Sequence, residues 1–161
     1  MLCANLMRNF FQLGYVTPDL DRAMELYRER YGVEEFLIID SRAMHPGSPN
    51  YLKIGLAWTG DTMIELIEPI GDHPLYACAL PQRGFGIQLH HLGYLLPDEA
   101  TFDAALKDLE AAEIPIVVRS GGTEFFEVAY ADARATTGHH LEVVLPRPQG
   151  QAMFDSIPRA A

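Results

Sequence analysis

The chain has 161 residues, 48% of them hydrophobic and 21% charged, with a formal net charge of −10. That suits one globular domain, or two half-size modules sharing a core. The acid excess argues against nucleic acid, whose phosphates need clustered Lys and Arg, and two cysteines, Cys3 and Cys78, are too few for a disulfide framework or a zinc ribbon. No apolar run approaches the ~20 residues that span a bilayer, and the first ten residues do not resemble a secretion signal. The expectation is a soluble cytoplasmic protein with neither nucleic acid nor membrane as a partner.

Phe10 to Thr17 is a short apolar run closed by Pro18 and reads as a strand. Asp19, or Thr17, can cap a helix in which Leu20, Met24, Leu26 and Tyr27 recur at helical spacing until Gly32 stops it. Phe36 to Ile39 is a second strand, and residues 42–49, rich in Pro, Gly and Ser, form a loop. Leu52 to Trp58 and Met63 to Ile67 are further strands, joined at Gly60-Asp61. Ile70 to Gly86 is a linker with room for one helical turn.

The same order then returns. Ile87 to Leu96 is a strand, and Ala100 to Ala112 is a helix with Phe102, Leu106 and Leu109 on one face. Ile114 to Val118 and Phe125 to Ala131 are strands around a Ser120-Gly121-Gly122 hairpin turn, and Leu141 to Leu145 closes the unit. Residues 147–161 form a tail with no assigned place.

Two passages of sequence repeat. Gln12-Leu13-Gly14-Tyr15-Val16-Thr17-Pro18-Asp19 reappears as His91-Leu92-Gly93-Tyr94-Leu95-Leu96-Pro97-Asp98, an offset of 79 (91 − 12). Ile64-Glu65-Leu66-Ile67-Glu68-Pro69 is matched by Leu141-Glu142-Val143-Val144-Leu145-Pro146, an offset of 77 (141 − 64). Segments that recur in one order at nearly one offset mark a duplicated unit. The fold expected is α+β: two βαβββ modules, about 10–69 and 86–146, with a linker at 70–85 and a tail at 147–161. Together they would form a single domain over 1–161, with first strands paired into a cupped eight-stranded mixed sheet.

The equivalent positions Gln12, Glu65, His91 and Glu142 all carry groups that bind metals. Taken singly, each reads as an ordinary strand residue; their common register across the repeat is what points to a shared site. Gly14 and Gly93 leave space on the faces that Gln12 and His91 would share. His140, two residues before Glu142, shares its face and is a pocket candidate. Tyr130 and Arg134, near the turn before Glu142, either line the same pocket and meet an anionic substrate or lie on the surface. His90 faces away from His91 and reads as a sheet-surface or dimer-interface residue. Trp58 and Phe126 suit either core or pocket wall.

The strings LGYVTPDLDRAMELY, IELIEP, LHHLGYLLPD and TGHHLEVV, within about Phe10 to Pro146, resemble the vicinal oxygen chelate superfamily. That superfamily includes glyoxalase I, methylmalonyl-CoA epimerase, extradiol dioxygenases and bleomycin-resistance proteins. The resemblance implies paired βαβββ modules with metal ligands from the first and last strands of each, here Gln12, Glu65, His91 and Glu142. Such a set resembles that of human-type glyoxalase I. The epimerase pattern would place His at position 12 and Gln at position 65. Extradiol dioxygenases use two His and one Glu, and bleomycin-resistance proteins have no ligands.

The resemblance therefore implies a metal enzyme using Zn, Ni, Co, Mn or Fe(II). It would act as a glyoxalase-like lyase or isomerase, or an epimerase, abstracting a proton next to a metal-bound carbonyl of a small substrate. Glu142 is the base expected, and Glu65 a ligand or second base. The positions that hold glutathione in glyoxalase I are Val16, Pro69 and Ile87 here, so the resemblance does not extend to them. IELIEP and the final turn with Gly138 are nearer the epimerase branch, whose substrates are acyl-CoA thioesters. The alternatives are a metal-free protein that sequesters a small molecule and a ring-cleaving dioxygenase. A homodimer is implied, since members commonly complete or cover their cups across a dimer interface.

Overall fold

The computed structural model describes residues 3–44, 46–120 and 123–160, so the Gly121-Gly122 turn lies outside the described residues. The elements in order are α1 (Ala4–Met7), β1 (Phe10–Val16), α2 (Leu20–Tyr31), β2 (Leu37–Asp40), β3 (Tyr51–Thr59), β4 (Thr62–Ile70) and α3 (Pro74–Ala77). Then follow β5 (Gln88–Leu95), α4 (Glu99–Ala111), β6 (Ile116–Ser120), β7 (Phe126–Asp132), α5 (Arg134–Thr137), β8 (His140–Pro146) and α6 (Pro148–Ser156). The strands form an eight-stranded sheet in the order β2-β3-β4-β1-β5-β8-β7-β6. β5 and β8 run parallel, whereas β2–β3, β3–β4, β6–β7 and β7–β8 are antiparallel. This is the α+β mixed sheet that the repeat predicts.

Both long helices start the same way. The Asp19 carboxylate accepts from the Arg22 backbone N–H at 3.0 Å, and that of Asp98 from the Thr101 N–H at 2.8 Å, each satisfying a first-turn donor with no intrahelical partner. Gly32 ends α2 in the left-handed region, with φ of 68°, where a side chain would be strained.

The chain packs as two compact units, Met1–Gln12 with His91–Ser156, and Leu13–His90 with Ile157–Ala161. In the first, Phe102, Ala105, Leu106 and Leu109 of α4 pack on Tyr94, Ala129, Ala131, Leu141, Val143 and Leu145. Burying a side chain as large as Phe102 or Leu109 contributes about 1.5–3 kcal/mol. In the second, Leu20, Ala23 and Met24 of α2 pack on Ile64 and Leu66, with Leu13 and Tyr15 against them.

Three helical segments go beyond what periodicity predicts. α1 buries Leu6 in the first unit's core. α5 is a single turn ended by Gly138. The start of the tail forms α6, whose Phe154 ring lies 5.8 Å from that of Phe11 and 5.0 Å from that of Phe126. The last residues belong to the second unit: the Trp58 N–H donates to the Pro158 carbonyl and the Ala160 N–H to that of Trp58, both at 2.8 Å. The Arg159 guanidinium covers the Trp58 ring at 5.1 Å.

Candidate functional site

Side chains alternate across a strand, so the helix-covered face fixes what points the other way. Leu92 and Tyr94 pack toward α4, which turns His91 and Gly93 to the opposite face of β5. Leu141 and Val143 do the same on β8 and turn His140 and Glu142 with them. In register, His91 pairs with His140 and Gly93 with Glu142, while across β8 Tyr130 pairs with Glu142 and Asp132 with His140. The first unit thus presents two rows on its helix-free face, Tyr130–Glu142–Gly93 and Asp132–His140–His91.

His91 is 0% exposed, and its Nε2 lies 3.2 Å from Oε2 of Glu142, itself 8% exposed. Gln12, 5% exposed, comes from β1 and lies over Gly93. A Cβ at Gly93 would stand 2.5 Å from the Gln12 amide oxygen and 2.8 Å from its Cβ, so only glycine leaves room for that side chain. Three of the four expected ligand residues therefore meet within one unit.

The fourth, Glu65, belongs to the other unit and is half-buried on β4. Its neighbours Ile64 and Leu66 pack against α2, so Glu65 faces away from that helix. Glu142 stands in the same relation to α4. The duplicated carboxylates are structurally equivalent, each on the helix-free face of its own unit.

A nitrogen, an amide oxygen and carboxylates suit a divalent ion. Ligand bonds of about 2.0–2.2 Å at angles between square and tetrahedral place donor atoms roughly 3.0–3.5 Å apart. The 3.2 Å between His91 and Glu142 falls in that range. The residues present fit a metal.

The pocket candidates are placed as follows. Tyr130 is 5% exposed, and its ring stands almost perpendicular to that of His91, at 5.4 Å and 85°, and to that of His140, at 6.5 Å and 82°. It belongs to the wall around His91 rather than to the surface. His140 is buried on the Glu142 face, as its spacing predicts. Arg134 is tied to Asp132, with Nε donating to Oδ1 at 2.8 Å and Nη2 to Oδ2 at 2.7 Å. Those bonds hold the Asp132 carboxyl well below the usual carboxylate range. Asp132 is a residue the sequence reading missed; the signal was its position beside His140 once β7 and β8 are aligned.

The expectation for His90 is corrected. It faces away from His91 but is 2% exposed, its Nε2 lying 2.8 Å from the Leu75 carbonyl and its ring 5.0 Å from that of Tyr76. The short α3 in the linker covers it.

A protein-family model described as the Glyoxalase/Bleomycin resistance protein/Dioxygenase superfamily matches residues 11–130. No curated protein matches. Among solved structures, a variant of Streptomyces coelicolor methylmalonyl-CoA epimerase in complex with 2-nitronate-propionyl-CoA is similar, with 19% identity and a TM-score of 0.62. That match covers 86% of this chain and 96% of the epimerase. The methylmalonyl-CoA epimerase of Mycobacterium tuberculosis matches with 20% identity and a TM-score of 0.62, over 94% of this chain and 97% of that one. A methylmalonyl-CoA epimerase in complex with methylmalonyl-CoA and NH4+ matches with 18% identity and a TM-score of 0.63, over 87% and 95%. At these identities the likeness establishes a common fold. Among the described residues no helix is long and apolar enough to cross a membrane.

Proposed function

We propose, for a chain that belongs to the Glyoxalase/Bleomycin resistance protein/Dioxygenase superfamily, a metal-dependent lyase, isomerase or epimerase. It takes a proton from the carbon next to a carbonyl in a small substrate. The observation that carries this is the buried His91–Glu142 pair with the Gln12 amide beside it. In this proposal Glu65, the duplicate of Glu142, completes the ligand set. Gln12, Glu65, His91 and Glu142 would hold a divalent ion (Zn, Ni, Co, Mn or Fe(II)), whose charge two carboxylates balance.

When bound, such an ion polarises the substrate carbonyl and acidifies the adjacent C–H. The protein's own part is to move the proton. The Glu142 carboxylate accepts it, and the burial of Glu142 limits competition from water. Glu65 is the second carboxylate, able to return a proton to the other face of the carbon, as an epimerisation requires. Tyr130 and His140 wall the Glu142 side and restrict how a substrate enters.

An acyl thioester is the substrate class best supported. Solved epimerases of the same fold include complexes with methylmalonyl-CoA and with 2-nitronate-propionyl-CoA. The glutathione-holding positions of glyoxalase I, in contrast, are Val16, Pro69 and Ile87 here. Assembly as a homodimer is part of the same proposal, and light scattering at micromolar concentration tests it.

Two measurements test the activity. Protein purified without chelator should hold about one divalent ion per chain. In deuterated buffer it should exchange the α-proton of a 2-methyl-branched acyl thioester, followed by NMR. A protein that neither holds metal nor exchanges that proton, or that of a hemithioacetal, would leave metal-free sequestration as the function.

A further inference from the structure

We infer that Tyr130 is the positioning residue that sets the ring orientation of His91. Its effect on metal affinity rests on the proposed metal centre, but its effect on the ring does not. Rotation of an imidazole about its last side-chain bond is weakly restrained by the residue itself, so packing must fix it. A rotated ring would carry Nε2 away from Glu142.

The register shows where the restraint comes from. Glu142 is flanked by Gly93 on β5 and Tyr130 on β7. The glycine side is given over to Gln12 and has no side chain of its own to brace an imidazole. On the other side, the Tyr130 ring stands edge-to-face with His91 and, at a similar angle, with His140. One buried ring thus packs against two imidazoles and holds both in the perpendicular geometry that aromatic pairs prefer. Small on one flank of Glu142 and large on the other, the row leaves ligand space on one side and a rigid brace on the other. Ligand histidines depend on their outer contacts for orientation, and where the outer partner is a hydrogen-bonding group its loss typically costs 10–100-fold in metal affinity.

The test uses three variants: Tyr130→Phe keeps the ring, whereas Tyr130→Met and Tyr130→Leu remove it. With isotope-labelled histidine in the metal-free protein, wild type and Tyr130→Phe should show the same single set of His91 ring signals. The ringless variants should show those signals shifted and broadened, while backbone amides away from β5, β7 and β8 stay in place. Titration with Co(II), followed by its visible absorption, should give an affinity within about twofold of wild type for Tyr130→Phe and about tenfold weaker for the ringless variants. Unchanged His91 signals in a folded ringless variant would overturn the inference. So would a Phe variant as impaired as the Met one, which would place the role in the hydroxyl. If wild type takes up no metal, the proposed activity falls, and the ring signals alone decide the role of Tyr130. If both ringless variants fail to fold, the role of Tyr130 is to hold the core, and the inference is overturned.

Discussion

Gly93 lies directly against the side chain of Gln12, on a different strand: a Cβ added to it would come within 2.5 Å of the amide oxygen. Phe11 closes the same space, its ring 3.0 Å from that position. The amide oxygen ends a flexible side chain, but the Gln12 Cβ at 2.8 Å does not, so Gly93→Ala must push Gln12 aside. Metal affinity should fall about tenfold or more, as it does when a ligand's orientation is lost. Because the substitution acts through Gln12, adding Gln12→Ala should cost almost nothing further, a non-additivity that a double-mutant cycle reads directly. Full additivity would mean that Gly93 acts some other way.

Replacing the base and replacing the nitrogen ligand should have different signatures. Glu142→Gln keeps an oxygen donor of the same size and should retain metal, yet an amide cannot accept a proton at neutral pH. Exchange of the substrate proton should drop by two to four orders of magnitude, the usual range for a lost general base. His91→Ala should instead lose most of the metal, and exchange with it. Metal content measured beside deuterium exchange separates the two. Undiminished exchange by Glu142→Gln would move the role of base to Glu65.

The repeat carried most of what the sequence could tell. Because it aligns Gln12 with His91 and Glu65 with Glu142, it pointed to the meeting of Gln12, His91 and Glu142 within one unit, and of the two cap candidates before α2 it is Asp19 that accepts from the first turn. What stayed hidden depends on contacts between distant residues. Tyr130 is a wall residue because β7 pairs with β8 in one register, and nothing local distinguishes it from a surface tyrosine. His90 is buried by a single turn in the linker, through the Leu75 carbonyl and Tyr76. α1, α5 and α6 are too short to be stable alone and have no periodic stripe; α1 and α6 exist because Leu6 and Phe154 find cores to enter.

Asp132 makes a pH-dependent contribution whose sign follows from its partner. Hydrogen bonds from the Arg134 guanidinium hold its folded-state pKa below the usual value, whereas an unfolded aspartate titrates near about 3.9. The stabilisation is therefore complete above that pH and is lost as pH falls through the depressed folded value. Asp132→Asn should melt at a lower temperature than wild type at pH 7. The difference should shrink as the pH is taken from about 4 downward. A difference that is constant across that range would show that charge at Asp132 is not what stabilises the start of α5.

α6 is held by one anchor, and that makes its contribution measurable. Phe154 lies between Phe11 and Phe126, with ring centroids at 5.8 and 5.0 Å, and no other large hydrophobic side chain of the helix is fully buried. Truncating a buried phenylalanine usually costs about 3–5 kcal/mol, because the transfer energy and the cavity add. Leu109→Ala, in the core under α4, should cost about 2–5 kcal/mol by the same reasoning. Urea unfolding should give both variants a lower midpoint with the slope unchanged. Phe11 also adjoins Gln12 in sequence and touches the Gly93 position, so the two substitutions should differ at the site. Phe154→Ala should weaken metal binding slightly as Phe11 gains freedom, and Leu109→Ala should leave it unchanged at temperatures where both proteins are folded. A Phe154→Ala cost below about 1 kcal/mol would mean that the rings of Phe11 and Phe126 close over the gap and that α6 is not needed to hold β1 in place.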